Sequence, residues 1–491
     1  MKKILYILLV FAWGLSSCED YLEVEPKNQV VVSTYNDVKA TMGSCLAIYT
    51  KGNDFGYGQP FYSDPDNYRI FTYYSGVLDD TKYLSNWWGT NHRSTFHSSL
   101  QWYNESLHPE LWTNLYSGIG FFNNVLYDLG EVDVTEDEAN LIKGEAKFLR
   151  AWYLYKLMQY FSPYGNNNLG IPVNLNAEDV LSYDASRKTQ EEVYAIIISE
   201  LEEILTYSTE PTSFSLFYDK QMVNALLAQV YWFKGGSGAG MESDYDNAIK
   251  YAQTAMLGEE LASLSEFGNM FKIDDNGTSK DNSNALLVCT PFGYTHSSLF
   301  TEVVCGYAAY GMNNFASERL YSLYSSDDVR NAWVNSIPGD PADFFAPKLG
   351  AINKFSNLQG QSFTSFFFFR IADLQLIIAE SYARKGDNAS AVSELEKFQM
   401  NRYNGYVSYT GSDVLQDILD ERTKEFCFEY DKVWLDMVRT GKGFTRPAVD
   451  LTEEGTTYTL EDNDYRLTQP IPLVAELEEN RIEQNPGWNF N

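Results

Sequence analysis

The sequence predicts a mostly α-helical protein in which helices pack in pairs to form a scaffold that carries a large, loop-rich insertion. The first observation is helical periodicity, because apolar residues recur every three or four positions over stretches such as 110–129 and 136–161. The second is that such stretches come in pairs and contain small residues where two helices would touch. The third is the composition of residues 263–368, where Gly, Asn, Ser and Asp interrupt short apolar runs.

The clearest helical pair extends over residues 372–405. Ala379 and Tyr382 fall at positions eight and eleven of a tetratricopeptide unit, and Ala391 falls at position twenty, after a short turn. Small residues at positions eight and twenty let two helices approach closely, and the ring at position eleven fills the groove between them. Looser pairs are predicted from residues 145–161 with 190–205, from the helices around Ala228 and Ala248, and from 415–422 with 426–439.

The remaining segments complete the predicted organisation. A first helix should begin after Ser33 as its N-cap and end near Tyr49, and a short helix is expected over Phe315–Tyr324. The tail from Thr440 onward has an irregular pattern. The predicted divisions are a signal peptide at 1–17, an extended leader at 18–32, and one body at 33–491, with helical repeats at about 110–260 and 369–440 and loop-rich binding regions at about 51–104 and 263–368.

The first residues predict export. Lys2 and Lys3 precede an apolar run from Ile4 to Leu15, which is too short to remain as a membrane span. Leu15 to Cys18 spells Leu-Ser-Ser-Cys, which matches the bacterial lipobox, so we expect Cys18 to carry the lipid anchor. The alternative is an ordinary signal peptide with an incidental cysteine. Several acyl chains would hold the protein stably to a bilayer. Glu19 and Asp20, directly after the cysteine, resemble a surface-export signal of lipoproteins, so we expect an outer-membrane protein that faces the cell exterior.

Charge and composition exclude several classes of ligand. The formal net charge of −31 repels nucleic acid and anionic lipid, whereas neutral sugars are tolerated. Aromatic residues reach 15% of the chain, with 36 tyrosines and 10 tryptophans, and such rings suit surfaces that present a flat apolar face with a polar edge.

No catalytic, metal or cofactor pattern stands out. The histidines have no metal-ligand spacing, no Gly-x-Ser-x-Gly motif is present, and the many carboxylates do not single out a glycosidase pair. We therefore expect a binding protein and not an enzyme. Cys45 and Cys427 are interpreted as buried small apolar residues, and an oxidising compartment leaves open a disulfide between Cys289 and Cys305.

Two aromatic clusters are the candidate binding residues. Trp87, Trp88 and Asn91 lie in a stretch without helical periodicity, where indole rings can stack on sugar faces and the amide can bond hydroxyl groups. The alternative is that the tryptophans fill a loop-rich core. The second cluster, to which the same alternative applies, consists of Phe292, Tyr294 and, further along the chain, Trp333.

Several stretches in order resemble the SusD/RagB family of lipoproteins. The resemblance begins with Ser16-Ser17-Cys18 and continues at residues 144–151, Gly-Glu-Ala-Lys-Phe-Leu-Arg-Ala. It includes Asp420-Glu421-Arg422 with Glu425-Phe426, the stretch 434–441, and the ending Asn485-Pro486-Gly487-Trp488. The resemblance therefore covers nearly the whole chain.

The resemblance implies a non-catalytic glycan-binding lipoprotein with four tetratricopeptide-like helix pairs. It also implies partnership with a TonB-dependent transporter of the SusC type, over which the protein would move like a lid while it delivers oligosaccharides. Two alternatives remain open at this point: a scaffold lipoprotein that binds only protein partners, and a family member that captures peptides. The sequence does not identify the glycan or its linkage.

The lipid anchor generates the first prediction. Cys18→Ala removes the thiol that would be acylated, so the variant should fold normally but leave the membrane fraction. Cell fractionation with immunodetection and mass spectrometry of the N-terminal peptide measures this. A variant that stays acylated and membrane-bound would contradict the lipobox assignment.

Overall fold

The structure is a computed structural model, and it describes most of the helical part of the chain. The described residues are 32–51, 81–83, 102–103, 107–178, 184–215, 217–269, 285–289, 314–316, 320, 322–334, 350–351, 366–427, 429, 431–447, 457–472 and 482–488.

Ten α-helices dominate these residues, which confirms the predicted mostly α class. None of the helices in these ranges is both long and apolar enough to cross a bilayer. The helices are α1 (Tyr35–Lys51), α2 (Leu107–Gly130), α3 (Glu136–Phe161), α4 (Gln190–Thr206), α5 (Lys220–Gly235), α6 (Glu242–Ala255), α7 (Ile371–Arg384), α8 (Asn388–Gln399), α9 (Val414–Phe426) and α10 (Lys432–Thr440).

Helix α3 is the central helix of the larger core. It begins at a capping box, in which the Thr135 hydroxyl accepts from the Glu138 N–H at 3.3 Å and the Glu138 carboxylate accepts from the Thr135 N–H at 3.2 Å. The buried Glu145 carboxylate accepts from the backbone N–H groups of Phe217 and Tyr218, each at 2.9 Å. A Cβ at Gly144 would lie 2.5 Å from the Tyr218 ring, so the Gly-Glu pair fixes the chain that leads into α5.

The next helices pack in pairs around alanines. Helix α5 packs on α6, and α7 packs on α8. Ala228 and Ala248 are fully buried in the first pair, as are Ala379 and Ala391 in the second. Only residues 385–387 connect α7 to α8, so the chain reverses there, and Gly386 supplies a φ of +78°. The helix pairs are present, and their assignment as tetratricopeptide units remains a prediction.

Two buried clusters form the core. The larger one joins side chains of α1 to α6 with parts of α7 and α10, and the smaller one lies between α7, α8 and α9. Cys45 and Cys427 are both buried free thiols, as predicted. Phe369 of the strand before α7 is also buried in the larger cluster.

Short antiparallel strands connect the helical parts. Strand β3 lies between β1 and β4, β2 pairs with β5, and β6 pairs with β7. The strands are β1 (Thr81–Tyr83), β2 (Ala285–Cys289), β3 (Asn314–Ala316), β4 (Gly350–Ala351), β5 (Phe366–Arg370), β6 (Phe444–Pro447) and β7 (Thr457–Leu460).

Some local predictions were wrong. The helix expected from Phe315 does not begin there, because Phe315 pairs with Lys82 of β1 and Ala351 of β4. The tail predicted to be irregular contains the β6–β7 hairpin. Helix α9 continues to Phe426 and α10 begins only at Lys432, so residues 426–439 do not form one helix.

The cap of α1 also differs from the prediction. Thr34, and not Ser33, precedes the helix, and its hydroxyl accepts from the Asp37 N–H at 3.3 Å. The Asp37 carboxylate in turn accepts from the Thr34 N–H at 2.9 Å. This reciprocal bonding requires a carboxylate three residues after the capping residue. Of Ser33 and Thr34, only Thr34 is followed by one at that position.

Close packing at Ala379 generates the second prediction. Ala379→Trp places an indole where α7 and α8 touch, and such overpacking costs about 1–3 kcal/mol. The melting temperature should fall by several degrees in calorimetry. The matched control is Ala389→Trp on the exposed side of α8, which should leave the melting temperature nearly unchanged. Equal behaviour of the two variants would contradict the packing argument.

Candidate functional site

The predicted glycan-contacting residues fall largely in segments that the structure does not describe. Trp333 lies within the described residues. Its predicted partners in glycan binding, and the lipidation site, lie outside them: Cys18, Trp87, Trp88, Asn91, Phe292 and Tyr294. Their roles therefore remain predictions, as does the disulfide between Cys289 and Cys305.

Trp333 is buried beneath a second aromatic ring. It ends the short 3-10 helix Val329–Trp333, and only 5% of its surface is exposed. The Phe267 ring stacks on it with centroids 5.0 Å apart and planes inclined by 22°. Phe267, which is partly exposed, was not predicted from the sequence, although an aromatic residue next to a glycine in a loop-rich segment is a signal that could have identified it. A glycan contact at Trp333 remains a prediction, and the Phe267 ring covers one of its faces.

Arg330 fixes this 3-10 helix to the helical scaffold. Its guanidinium is fully buried and donates to Asp328 at 2.8 Å and to Glu421 of α9 at 2.6 Å. Burying a guanidinium costs free energy unless carboxylates surround it. Because Arg330 must keep these contacts, the turn that contains it can occupy few other positions. Arg330 thereby determines where Trp333 and Phe267 lie.

Glu425 of α9 is shared by three arginines. Its carboxylate accepts from Arg370 at 2.6 Å, from Arg402 at 2.9 Å and from Arg330 at 3.4 Å. Arg370 is the last residue of β5, and Arg402 follows α8. One buried carboxylate therefore connects three separate segments of the chain.

The cationic side chains around Glu425 are equal in number to the carboxylates. Burial alone would raise the pKa of Glu421, but the charges of Arg330 and Lys424 outweigh it and lower the pKa to about 2. Burial would likewise raise the pKa of Glu425, but the charges of Arg402 and Arg370 outweigh it and hold this pKa well below its usual range. We call this group the Glu425 cluster; it contains Arg330, Arg370, Arg402, Lys424, Asp328, Glu421, Glu425 and Glu429.

A second group of charges, the Asp373 cluster, connects α7, α9 and α10. Its core pairs join Asp373 to Arg422 at 2.9 Å and Glu380 to Arg439 at 2.8 Å. Trp232 of α5 lies between the two arginines, with its ring 4.5 Å from the Arg422 guanidinium and 4.1 Å from that of Arg439. The remaining members are Lys432, Arg384 and Asp436.

The C-terminal segment is fastened in a different way, by hydrogen bonds to carbonyl and amide oxygens and without a carboxylate. The Asn485 amide donates to the carbonyls of Phe161 at 2.9 Å and Gln469 at 2.6 Å. Arg187 donates to the Asn485 side chain at 2.8 Å and also to the Phe161 carbonyl at 3.1 Å. The Asn-Pro-Gly-Trp ending is thus attached to the end of α3.

Among the described residues, no three or more His, Cys, Asp or Glu side chains gather in a way that could hold a metal ion. The carboxylates of the two clusters are instead occupied by arginines and lysines. Within this part of the chain the two clusters position other segments.

Two family models match different parts of the chain. A model described as "Starch-binding associating with outer membrane" matches residues 20–232, and the SusD family model matches residues 347–488. The residues that the SusD family model matches include nearly all members of the Glu425 cluster and the Asp373 cluster. The chain belongs to the SusD/RagB family.

Relatives and solved structures agree with this assignment. SusD-like protein P2 of Formosa agariphila is 24% identical over 77% of this chain and 80% of its own. SusD-like protein P38 of the same organism is 23% identical over 99% of each chain. A SusD superfamily structure from Bacteroides thetaiotaomicron has a TM-score of 0.69 at 22% identity, with 92% of this chain and 100% of that chain covered.

A further structural neighbour is described by its ligand class. A SusD-like carbohydrate-binding protein from Bacteroides vulgatus has a TM-score of 0.60 at 17% identity, with 88% of this chain and 89% of that chain covered. At such identities the likeness shows a shared fold. The SusD fold of this chain is therefore supported over most of its length.

The Glu425 cluster generates the third prediction. Glu421→Gln leaves Arg330 without one of its charge partners, so unfolding by urea at pH 7 should show a loss of about 3–5 kcal/mol. Folding lowers the pKa of Glu421 from about 4.3 to about 2. The stabilisation that ionised Glu421 provides is therefore fully present when the pH is above the pKa of the unfolded state, and it is lost as the pH falls through the pKa of the folded state.

The difference in unfolding free energy between wild type and Glu421→Gln should therefore shrink as the pH falls from about 4.5 to 2. Glu259→Gln, a change at an exposed residue, is the matched control and should alter stability by less than about 0.5 kcal/mol at every pH. A difference for Glu421→Gln that is independent of pH would contradict the assigned ion pair.

Proposed function

We propose that this SusD-family chain is a glycan-binding lipoprotein that captures oligosaccharides at the cell surface and passes them to a TonB-dependent transporter of the SusC type. The observation that carries the proposal is the match to a family described as starch-binding and associating with the outer membrane. A structural neighbour described as a carbohydrate-binding protein supports the same ligand class. The proposed role is binding and delivery, without cleavage of the glycan.

The N-terminus supports a membrane location. The lipobox places the acylated residue at Cys18, and the family match begins two residues later, at Asp20. Residues 18–32 would then act as a spacer between the lipid and α1. An anchor of this kind keeps the binding face close to a transporter in the same membrane, which raises the effective concentration of captured ligand there.

The charge clusters support the proposal through rigidity. A flexible oligosaccharide loses conformational freedom when it binds, so affinity benefits from a surface that is already ordered. Arg330 and Arg370 fix the 329–333 turn and strand β5, and each of these lies within or at the end of the loop-rich region. The helical scaffold would thus hold the ends of the binding loops in place.

The proposed contacts are aromatic rings and amides. Trp88 is assigned the principal stacking role, with Asn91 bonding sugar hydroxyls and Trp87 on the opposite side of the same loop. Tyr294 and Phe292 form the second group. Neutral glycans fit best, because the net charge of −31 opposes anionic ones.

Affinity electrophoresis provides the fourth prediction. Purified wild type should be retarded in gels that contain a matching polysaccharide from a panel of plant, mucin and microbial glycans. Trp88→Ala should lose most of the retardation, Asn91→Ala should lose less, and the melting temperature should change little in either, because loss of a stacking ring on an exposed loop spares the core. Trp87→Ala is the adjacent control.

The outcomes separate the alternatives. Retardation by no glycan in the panel would overturn the proposed function and favour a scaffold or a peptide-binding role. Glycan binding that survives both Trp87→Ala and Trp88→Ala would remove this loop from the site and leave the cluster of Phe292, Tyr294 and Trp333.

A further inference from the structure

A group of aromatic rings reaches the surface near the C-terminus, where it meets Tyr103 at the end of the loop-rich region 51–104. Tyr465 begins the 3-10 helix Tyr465–Leu467, and 47% of its surface is exposed. The Trp488 ring meets it edge-on, with centroids 5.1 Å apart and planes at 79°. Tyr103, which is partly exposed, packs against the other side of Trp488 at 5.0 Å. We call Tyr465, Trp488, Tyr103 and Arg466 the Tyr465 corner.

The rings of this corner are held in place by the backbone. The Trp488 indole N–H donates to the Thr468 carbonyl at 2.8 Å. Gly487 has a φ of +87°, and a Cβ there would lie 2.5 Å from the Tyr465 ring, so the ring rests directly on the main chain. Little side-chain freedom remains to be lost when a ligand stacks on Tyr465.

Arg466 adds a hydrogen-bond donor beside the exposed ring. Its Nε and Nη2 donate to the Asp464 carboxylate at 2.9 and 2.6 Å, and its guanidinium lies 5.9 Å from the Tyr465 ring centre. Within the described part of the chain no acceptor bonds Arg466 Nη1 or the Tyr465 hydroxyl, and both residues are at least partly exposed. An exposed aromatic ring with a partly exposed planar donor close to it suits the apolar faces and the hydroxyl groups of sugars.

The surroundings favour a sugar over a protein partner. Among the described residues of the same segment, the aliphatic side chains Leu467, Ile471 and Ile482 are buried, and the exposed apolar surface is aromatic. The exposed carboxylate of Glu461 acts on the charge of Arg466. A protein interface of ordinary size needs a broad contiguous patch, whereas the described rings form a small group with charged neighbours.

We propose that the Tyr465 corner is a second carbohydrate-binding site, which takes a stretch of neutral polysaccharide with Tyr465 as the stacking ring. It goes beyond the proposed function, which assigns binding to the Trp-rich loop. Two sites on one protein would raise the avidity for a long chain and leave the affinity for a short oligosaccharide unchanged.

Tyrosine nitration tests the site directly. Wild-type protein is treated with tetranitromethane alone or with amylopectin, galactomannan, arabinoxylan or yeast mannan, and nitration is quantified by mass spectrometry. A polysaccharide that is bound should reduce nitration of Tyr465 at least threefold. Tyr127 on α2, which is 41% exposed, is the internal control and should be nitrated equally in both conditions.

Substitutions provide the second measurement. Tyr465→Ala should weaken retardation in gels of the protecting polysaccharide about three- to tenfold, the effect expected for one lost stacking contact. Tyr465→Phe keeps the ring and should weaken it less than twofold, and Tyr127→Ala should have no effect. Binding of a six- to eight-residue oligosaccharide of the same sugar should not change in any of these variants.

Each outcome decides the proposal. Absence of protection of Tyr465 by every polysaccharide overturns it, whether or not the chain binds glycan elsewhere, and so does equal protection of Tyr127. Protection of Tyr465 together with normal binding by Trp88→Ala would retain this site and reject the Trp-rich loop. Normal retardation of Tyr465→Ala, with an unchanged melting temperature, overturns the stacking role.

Discussion

The sharing of Glu425 by three buried arginines is the interaction on which the arrangement of this molecule depends. A carboxylate buried away from water is stable only when cations compensate it, and the three guanidinium groups here share this one. Arg330, Arg370 and Arg402 come from three separate segments, yet all must reach one point on α9. Hydrophobic packing tolerates small displacements, whereas this set of bonds does not. The loop-rich region is therefore attached to the scaffold at fixed positions.

The Asp373 cluster extends the same constraint between helices. Apolar periodicity determines which face of a helix is buried but leaves the sliding of the helix along its neighbour weakly specified. Ion pairs among α7, α9 and α10, with Trp232 of α5 between Arg422 and Arg439, define the contact more narrowly. Residues that the sequence presents as a family signature are thus the ones that align the helices. Their role is to position helices, and the ligand contacts are proposed for the loops.

Helices were predictable from the sequence where local signals agreed. The bounds of α3 follow from Thr135, with Glu138 three residues later, and from the Ser162-Pro163 stop. The pairing of β6 with β7 could not be predicted, because its partners, from Pro447 with Thr457 to Phe444 with Leu460, lie too far apart in the sequence for a tight-turn signature. The burial of Trp333 under Phe267 was also inaccessible, since nothing in a single sequence joins residue 267 to residue 333. Arg330 appears in the sequence as an ordinary surface charge.

The charge clusters also bear on the choice of ligand. In the Glu425 cluster four cations face four carboxylates, and in the Asp373 cluster cations slightly outnumber carboxylates. Neither cluster therefore accounts for the net charge of −31, which must reside elsewhere in the chain, as in the exposed first turn of α3. A surface with that excess repels uronic-acid or sulfated chains over the range of a Debye length, about 8 Å at physiological salt. The stacking proposed for Trp88 and Tyr465 would involve no charge on the sugar, so the electrostatics and the proposed aromatic contacts favour the same ligand class, a neutral glycan.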